Sequence, residues 1–377
     1  MYGSKFCEWA RVFLTVLIVT AAVAPKAHAY DVAHTQPLST YPVEPAVCGS
    51  AGKSLIGIKH APDDFNFFYT GLTKGRVAKW QYGSSAPVWS AQLGSNGSSS
   101  LSDLSPSPDG AMLSILSYPE TIILLNSATG SVLPRQFSNP AQNPQAIHTA
   151  ISWSVFQNVI ATGDSKGGIQ LWQPDTQQPI ATYSNGSESI RDLAFTKSGQ
   201  FLVAVTKSDV VLWNVDNGSI PFSLKAELDL PELYINDAQL PEFNENFMTV
   251  TTLSESIVID LSAQRVHVRY PTPIATQHAT GPFNANQGPL LSMLSPDLTK
   301  IVRIYRNPMF DKVDTESGVL QTLYLDPANA ATMGQVPATV AGAIKPDDDK
   351  TVLIGIKRVD FGPGCITTTV DVVQYGL

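Results

Sequence analysis

Short runs of alternating apolar and polar residues recur along the chain, separated by polar turns. The clearest pair lies at residues 150–184 and 190–224, which read AISWSVFQNVIATGDSKGGIQLWQPDTQQPIATYS and IRDLAFTKSGQFLVAVTKSDVVLWNVDNGSIPFSL. Each contains four runs of strand length, rich in Val, Ile, Leu and Trp, joined by three turns. One unit of four strands cannot bury both of its faces alone. Its repetition therefore predicts an array in which neighbouring units cover each other.

The same pattern of four short strands joined by turns extends over the rest of the chain. The turn after the first run of each unit recurs every 41 to 53 residues, at Asp63, Asp109, Gln157, Ser198, Asn244, Asp297 and Asp347. Seven four-stranded units of this length predict an all-β fold, a seven-bladed β-propeller of antiparallel blades over residues 50–377. Helical repeats of similar period do not fit, because the runs are short, β-branched and broken by Gly, Pro and Asn.

The last unit lacks a fourth strand. It contains three runs, around 339–344, 351–357 and 366–374. The extended segment at 37–43, within an N-terminal arm at 30–49, belongs to no unit. We expect this segment to close the ring as the missing outer strand, paired with 366–374.

The start of the chain has the layout of a secretory signal peptide at residues 1–29. Lys5 and Arg11 accompany an apolar stretch at 12–24, and Ala27-His28-Ala29 is a small-x-small cleavage site. The apolar stretch is too short to span a bilayer, so an uncleaved anchor is the less favoured alternative. We therefore expect an exported, soluble protein, periplasmic or secreted, with no stable membrane anchor after cleavage.

Charge and cysteine content refine this picture. The formal net charge of −8 would become −10 after cleavage, which argues against a nucleic-acid partner because such binding needs a basic surface. Cys7 leaves with the signal, whereas Cys48 and Cys365 remain in an oxidising compartment. Cys48 follows the proposed closing strand and Cys365 opens the strand that it would pair with. This placement favours a disulfide bond, with two free thiols as the alternative.

Two stretches carry a resemblance to a known family. GDSKGGIQLWQ at 163–173 and VVLWN at 210–214 resemble WD40 repeats, in which a polar turn leads into a strand that ends in Trp-Asp. Here Gln173 and Asn214 stand in place of that Asp, and the chain contains no Gly-His dipeptide. GRVAKWQYGSSAPVWSAQL at 75–93 is more similar to quinoprotein-type propeller repeats, and unit two resembles a pattern of several bacterial propeller families. The resemblance implies the propeller fold but no single family, and fold alone does not give function.

No local motif for chemistry is present. No two of the histidines left after cleavage lie within four residues of each other, and the Asp347-Asp348-Asp349 triplet lacks the spacing of a calcium loop. We therefore predict no cofactor, metal site or catalytic residue. A propeller enzyme of lactonase or dehydrogenase type remains the alternative, because a site gathered from several blades at the central channel leaves no local signature. A carbohydrate-binding domain is a third possibility, which Trp89 and Trp153 weaken because both lie within strands.

Loop lengths favour a protein-binding scaffold. In a four-stranded antiparallel blade, the second-to-third turns and the blade-to-blade connections lie on one side of the ring, here called the long-loop face. The opposite side is the short-turn face. We assign to the long-loop face the insertions at 133–145, 262–288, 306–318, 327–336 and 358–364. Residue types common at interfaces predict a protein-binding site there, formed by Tyr270, Arg306, Met309, Phe310, Arg358 and Phe361.

Overall fold

The structure of the protein is a computed structural model. It describes residues 31–35, 38–44, 54–94, 100–118, 121–138, 146–154, 157–176, 178–184, 186–196, 198–229, 233–240, 246–272, 289–305, 309–317, 320–325, 338–347, 351–362 and 365–376. These residues form seven separate sheets, six with four strands and one with five. The all-β, seven-bladed fold predicted from the repeats is confirmed.

Blades one to five each consist of four strands that follow one another in the chain and pair antiparallel. The strands of blades one and two are β3 (Leu55–His60), β4 (Phe67–Leu72), β5 (Arg76–Gln81), β6 (Pro87–Gln92), β7 (Ser100–Pro106), β8 (Met112–Tyr118), β9 (Thr121–Asn126) and β10 (Val132–Ser138). Those of blades three to five are β11 (His148–Trp153), β12 (Ile160–Asp164), β13 (Gly168–Gln173), β14 (Gln178–Ser184), β15 (Asp192–Phe195), β16 (Phe201–Val205), β17 (Val210–Asn214), β18 (Phe222–Ser223), β19 (Ile235–Gln239), β20 (Phe247–Thr252), β21 (Glu255–Asp260) and β22 (Arg265–Pro271).

Blades six and seven include strands from the N-terminal arm. Blade six contains β23 (Leu291–Leu294), β24 (Lys300–Ile304), β25 (Met309–Asp314), β26 (Leu320–Leu325) and β1 (Asp31–Thr35). Blade seven contains β27 (Ala338–Ile344), β28 (Thr351–Gly362), β29 (Cys365–Gly376) and β2 (Ser39–Glu44). The first strands of neighbouring blades contact each other at six of the seven junctions, so they line the central channel of the ring.

The predicted ring closure is confirmed. Strand β2 pairs antiparallel with β29, from Ser39 opposite Gln374 to Glu44 opposite Val370. Tyr41 joins this strand to blade one: its hydroxyl donates to Gln374 Oε1 at 2.8 Å and accepts from the Gly83 N–H at 2.9 Å. Strand β1, which the sequence did not predict, pairs in parallel with β26. The N-terminal arm therefore adds an outer strand to two successive blades.

The structure corrects several predicted loops, because strands occupy part of four of them. Strand β22 begins at Arg265, and its side chains alternate strictly between exposed and half-buried. Because no position is fully buried, its polar RVHVRY sequence resembles that of a loop. Strands β10 and β25 similarly occupy much of 133–145 and 306–318. The segment 358–364 is the end of the long hairpin β28–β29, whereas 327–336 lies outside the described residues.

Blade four also departs from the expected four full strands. Its outer strand β18 is only two residues long and leads into a short helix, α1 (Leu224–Leu228). Ser223 caps this helix by accepting the Ala226 N–H at 3.2 Å, and Asp209 accepts the Lys225 N–H at 2.9 Å. In the described part of the chain, no helix is both long and apolar enough to cross a membrane.

The core is divided among the junctions between blades. Each of seven clusters of buried apolar side chains lies between two consecutive blades, including the junction of blades seven and one. An aromatic residue on the outer strand of one blade also donates to a third-to-fourth turn carbonyl of the next blade. Trp89 reaches Ser127 O at 2.8 Å, Tyr183 reaches Val215 O at 2.6 Å and Tyr270 reaches Thr315 O at 3.0 Å.

Hydrogen bonds between side chains of the second and third strands occur in two blades. In blades one and three the third-strand tryptophan donates to a threonine on the second strand: Trp80 to Thr70 and Trp172 to Thr162, both at 2.9 Å. In blade three His148 lies opposite Asp164, yet neither nitrogen of its buried ring has a hydrogen-bond partner among the described residues. The tryptophan–threonine contact is thus shared by blades one and three.

Candidate functional site

The residues predicted to bind a partner lie on three successive blades. Tyr270 is in β22 of blade five, Met309 and Phe310 open β25 of blade six, and Arg358 and Phe361 are in β28 of blade seven. Arg306 lies outside the described residues. The hairpin that contains Arg358 and Phe361 continues past the last residue of β28 that pairs with β27, Lys357. It therefore extends toward the long-loop face as paired strands rather than as a loop.

Tyr270 is engaged in the junction between blades five and six. Its hydroxyl donates to Thr315 O, and its ring lines a cavity of about 170 Å³ with His267, Phe247, Leu294 and other side chains of the two blades. Phe247 and His267 contact edge to face, with ring centroids 5.2 Å apart. The His267 side chain is exposed, as predicted from its alternation with two valines.

A group of charged side chains that sequence reasoning missed lines the central channel. Asp103, Asp192 and Asp237 come from the first strands of blades two, four and five, and Lys59 comes from the first strand of blade one. Lys59 interacts electrostatically with all three carboxylates, and Asp192 with the other two. Each of the four residues is partly buried and partly accessible to water, as expected for a channel lining.

Hydrogen bonds fix all three carboxylates to the blades, and Asp192 Oδ1 accepts the Leu193 N–H at 2.8 Å. Asp103 Oδ2 accepts the Ile151 N–H of blade three at 2.9 Å, and Asp237 Oδ2 accepts from Gln239 Nε2 at 2.7 Å. Burial raises the pKa of Asp103 to about 7; Lys59 opposes this shift and Asp192 adds to it. Burial likewise raises the pKa of Asp237 to about 7, and that of Asp192 is also raised.

This group could have been anticipated only by comparing equivalent positions in the repeats. Asp103 and Asp237 each follow a register irregularity in the first strand of their blade, at the place that Gly57 and Ala150 occupy in blades one and three. No local spacing links the aspartates. Among the described residues, no group of three or more His, Cys, Asp or Glu side chains is arranged to hold a metal ion.

The long-loop face also exposes an apolar pair flanked by basic groups, again missed from the sequence. Tyr234, just before β19, is 51% exposed and Leu253, just after β20, is 58% exposed. The ladder pairs Ile235 with Thr252, so Tyr234 and Leu253 face each other one step beyond its end. Lys207 Nζ lies 4.7 Å from the centroid of the Tyr234 ring, and Arg191 Nη1 donates to Ile235 O at 3.1 Å. We call these four residues, Arg191, Lys207, Tyr234 and Leu253, the Tyr234 patch.

Trp89 and Trp153 both make hydrogen bonds within the propeller. Trp89 donates from Nε1 to Ser127 O between blades, and buried Trp153 donates to Ser114 Oγ at 2.8 Å. Their rings are therefore used in packing. Asp347, from the acidic triplet, is exposed and pairs with Lys345 at 3.0 Å, whereas the rest of the triplet lies outside the described residues.

Comparisons with known proteins agree with a repeat propeller. The chain is 28% identical over 202 residues to the WD repeat-containing protein JIP5 of Cryptococcus neoformans, which covers 48% of this chain and 52% of that protein. It is 26% identical over 131 residues to Beta-mannosyltransferase 1 of Komagataella phaffii, which covers 34% of this chain and 18% of that protein. The chain thus spans about half the length of the first relative and less of the second. No protein-family model matches the chain.

Repeat pattern, blade architecture and the similarity to a WD repeat protein point to the same description. The tryptophan–threonine contacts of blades one and three add a detail at the level of side chains. The protein is a seven-bladed β-propeller that is similar over part of its length to a WD repeat protein.

Proposed function

We propose that this propeller is an exported scaffold that binds another protein through its long-loop face. The observation that carries the proposal is the Tyr234 patch, where an exposed aromatic ring and an exposed leucine lie beside Lys207 and Arg191. Aromatic and arginine side chains are enriched among the residues that dominate binding energy at protein interfaces. The similarity to a WD repeat protein supports a scaffold role by analogy with its fold.

The test is loss of partner capture from the native exported fraction. Replacing Tyr234 and Leu253 together by Asp places two charges in the proposed contact, and we expect capture to fall at least about tenfold. The matched control is Ile220→Asp, since Ile220 is 47% exposed but lies in the third-to-fourth turn of blade four, on the short-turn face. Equal capture by both variants would place the binding surface elsewhere.

The residues predicted from the sequence include two arginines from blades six and seven, Arg306 and Arg358. Charge reversal of Arg306 and Arg358 together should weaken the same capture if the partner spans both regions. If capture is unchanged in this variant but lost in the variant of Tyr234 and Leu253, binding is confined to blades four and five.

We also propose export through the signal peptide and a disulfide between Cys48 and Cys365. Strand β2 ends at Glu44 opposite Val370, so each cysteine is within five residues of the end of that ladder. Cys48 itself lies outside the described residues. N-terminal mass analysis should find a chain that begins at Tyr30, and non-reducing peptide mapping should find the two cysteine peptides joined. Two free thiols would refute the bond, which would tie the closing strand to the last blade.

A second candidate function is catalysis in the central channel, favoured by Asp103, Asp237 and Lys59. A carboxyl group with a pKa near 7 exchanges protons readily at neutral pH, as a general acid or base requires. Assay of the purified protein on a panel of lactones, and for dye-linked dehydrogenation, tests this function. Turnover that Asp103→Asn abolishes would favour the enzyme over the scaffold.

A further inference from the structure

We infer that the Tyr234 patch recognises an acidic, hydrophobic segment of its protein partner, a conclusion that rests on the proposed scaffold function. The segment would place an aromatic or aliphatic side chain against Tyr234 and Leu253. One or two carboxylates beside it would face Lys207 and Arg191. The inference thus defines the chemistry of the partner rather than only the surface that it covers.

The local charge of the patch is opposite to that of the whole molecule. The chain has a formal net charge of −8, yet the exposed charged side chains of the patch, Arg191 and Lys207, are both basic. Among the described residues neither of them has a carboxylate partner. Glu188 and Asp209 are nearby in blade four, but Glu188 accepts from Ser208 Oγ and faces Lys225, while Asp209 accepts from Ser223 and the Lys225 amide. A carboxylate on a partner would therefore face two cations that have no carboxylate partner in the described part of the chain.

The backbone of the patch is held firmly enough to present these groups. The Ile235 N–H donates to Lys207 O at 2.9 Å, and Ile235 O accepts from Arg191. Ile235 and Leu233, the neighbours of Tyr234 in the chain, are buried in the cluster between blades four and five. The two basic residues are thus held beside one exposed tyrosine, and little order has to be gained on binding.

Selection of peptides tests this inference with the full-length protein. A yeast-displayed library of random peptides is sorted for binding to the wild type and against binding to a variant with Arg191→Glu and Lys207→Glu. Enriched sequences should combine Asp or Glu with an aromatic or aliphatic residue. A synthetic enriched peptide should lose at least about tenfold in affinity in that variant, and the loss should shrink in high salt.

Lys166→Glu is the matched control, because Lys166 is an exposed lysine in the second-to-third turn of blade three, on the same face. Equal losses in the control and in the double variant would overturn the inference, as would a failure to enrich any peptide. Enriched peptides without acidic residues that still require Tyr234 would also overturn it while leaving the scaffold proposal intact. Cosedimentation with phosphatidylglycerol vesicles that depends on Lys207 would instead assign the patch to an anionic membrane surface.

Discussion

Trp80, Trp172 and Trp213 stand at equivalent places in the third strands of blades one, three and four, yet only the first two donate to a threonine. The buried Trp213 Nε1 has no hydrogen-bond partner in the described part of the chain. The pairing of the second and third strands explains the difference. Trp172 lies opposite Ile160, and Thr162 is two residues further along the second strand. In blade four Trp213 lies opposite Leu202, and the residue two positions further along is Ala204. One missing hydroxyl therefore leaves a buried donor unsatisfied, which costs about 1–3 kcal/mol.

Replacing Ala204 by Thr should repair this contact. We expect the free energy of unfolding to rise by about 1 kcal/mol, as measured by urea denaturation, because the new hydroxyl accepts from Trp213. Ala204→Val is the control, since valine has nearly the same shape without the acceptor. The reciprocal change Thr162→Ala should destabilise blade three by about 1–3 kcal/mol. A gain in the valine variant equal to that of the threonine variant would point to packing instead.

Strand β2 joins two blades, because it is the fourth strand of blade seven and also contacts blade one. Fully buried Tyr41 makes both contacts, with Gln374 in β29 and with the Gly83 amide, and its ring packs edge to face on Phe68 at 5.0 Å. Burial raises the pKa of Tyr41, so its hydroxyl stays protonated and keeps donating.

Tyr41→Phe should therefore weaken ring closure. The change removes a hydrogen bond across the closing pair and leaves the Gly83 N–H without its partner, so we expect a loss of about 1–3 kcal/mol in unfolding free energy. Amide hydrogen exchange in β29 should accelerate more than in β12 of blade three. Tyr234→Phe is the control, because Tyr234 is exposed and the same change there should stay within about 0.5 kcal/mol. Equal effects at both tyrosines would contradict this account of closure.

Across the whole molecule, the aspartates of the channel link stability to pH. Burial raises the pKa of Asp103 and Asp237 from an ordinary 3.8 to about 7. Between these values the folded chain holds protons that the unfolded chain has released. The stabilisation from these groups is therefore complete below about pH 4 and is lost as the pH rises through about 7.

The denaturation midpoint should accordingly fall between pH 5 and pH 7 in buffers of equal ionic strength. Each group contributes at most about 1.4 kcal/mol per pH unit to this decrease. Asp103→Asn should flatten the profile in this window. Asp109→Asn serves as the control: the Ser107 hydroxyl lowers the pKa of Asp109, so this variant should change the profile only in more acidic solution. An unaltered slope in Asp103→Asn would show that the channel carboxyl is already ionised at pH 5.

The repeats made the fold predictable, because alternation and turn spacing determine blades that pack on their neighbours. Blade number and the pairing of β2 with β29 followed from this pattern. The outer strands were harder to predict: β22 alternates exposed with half-buried positions, so its polar sequence reads as a loop. The channel aspartates and the Tyr234 patch were missed because residues from different blades form them, and only the ring brings these together.

The pairing of β2 with β29 also imposes an order on synthesis. Blades one to five can each form from consecutive strands as the nascent chain emerges, but Tyr41 must wait for Gln374, 333 residues later. Until then an open ring leaves one apolar sheet surface of blade one bare. This surface of blade one is therefore the apolar surface that waits longest for its neighbour, from the first blade to the last.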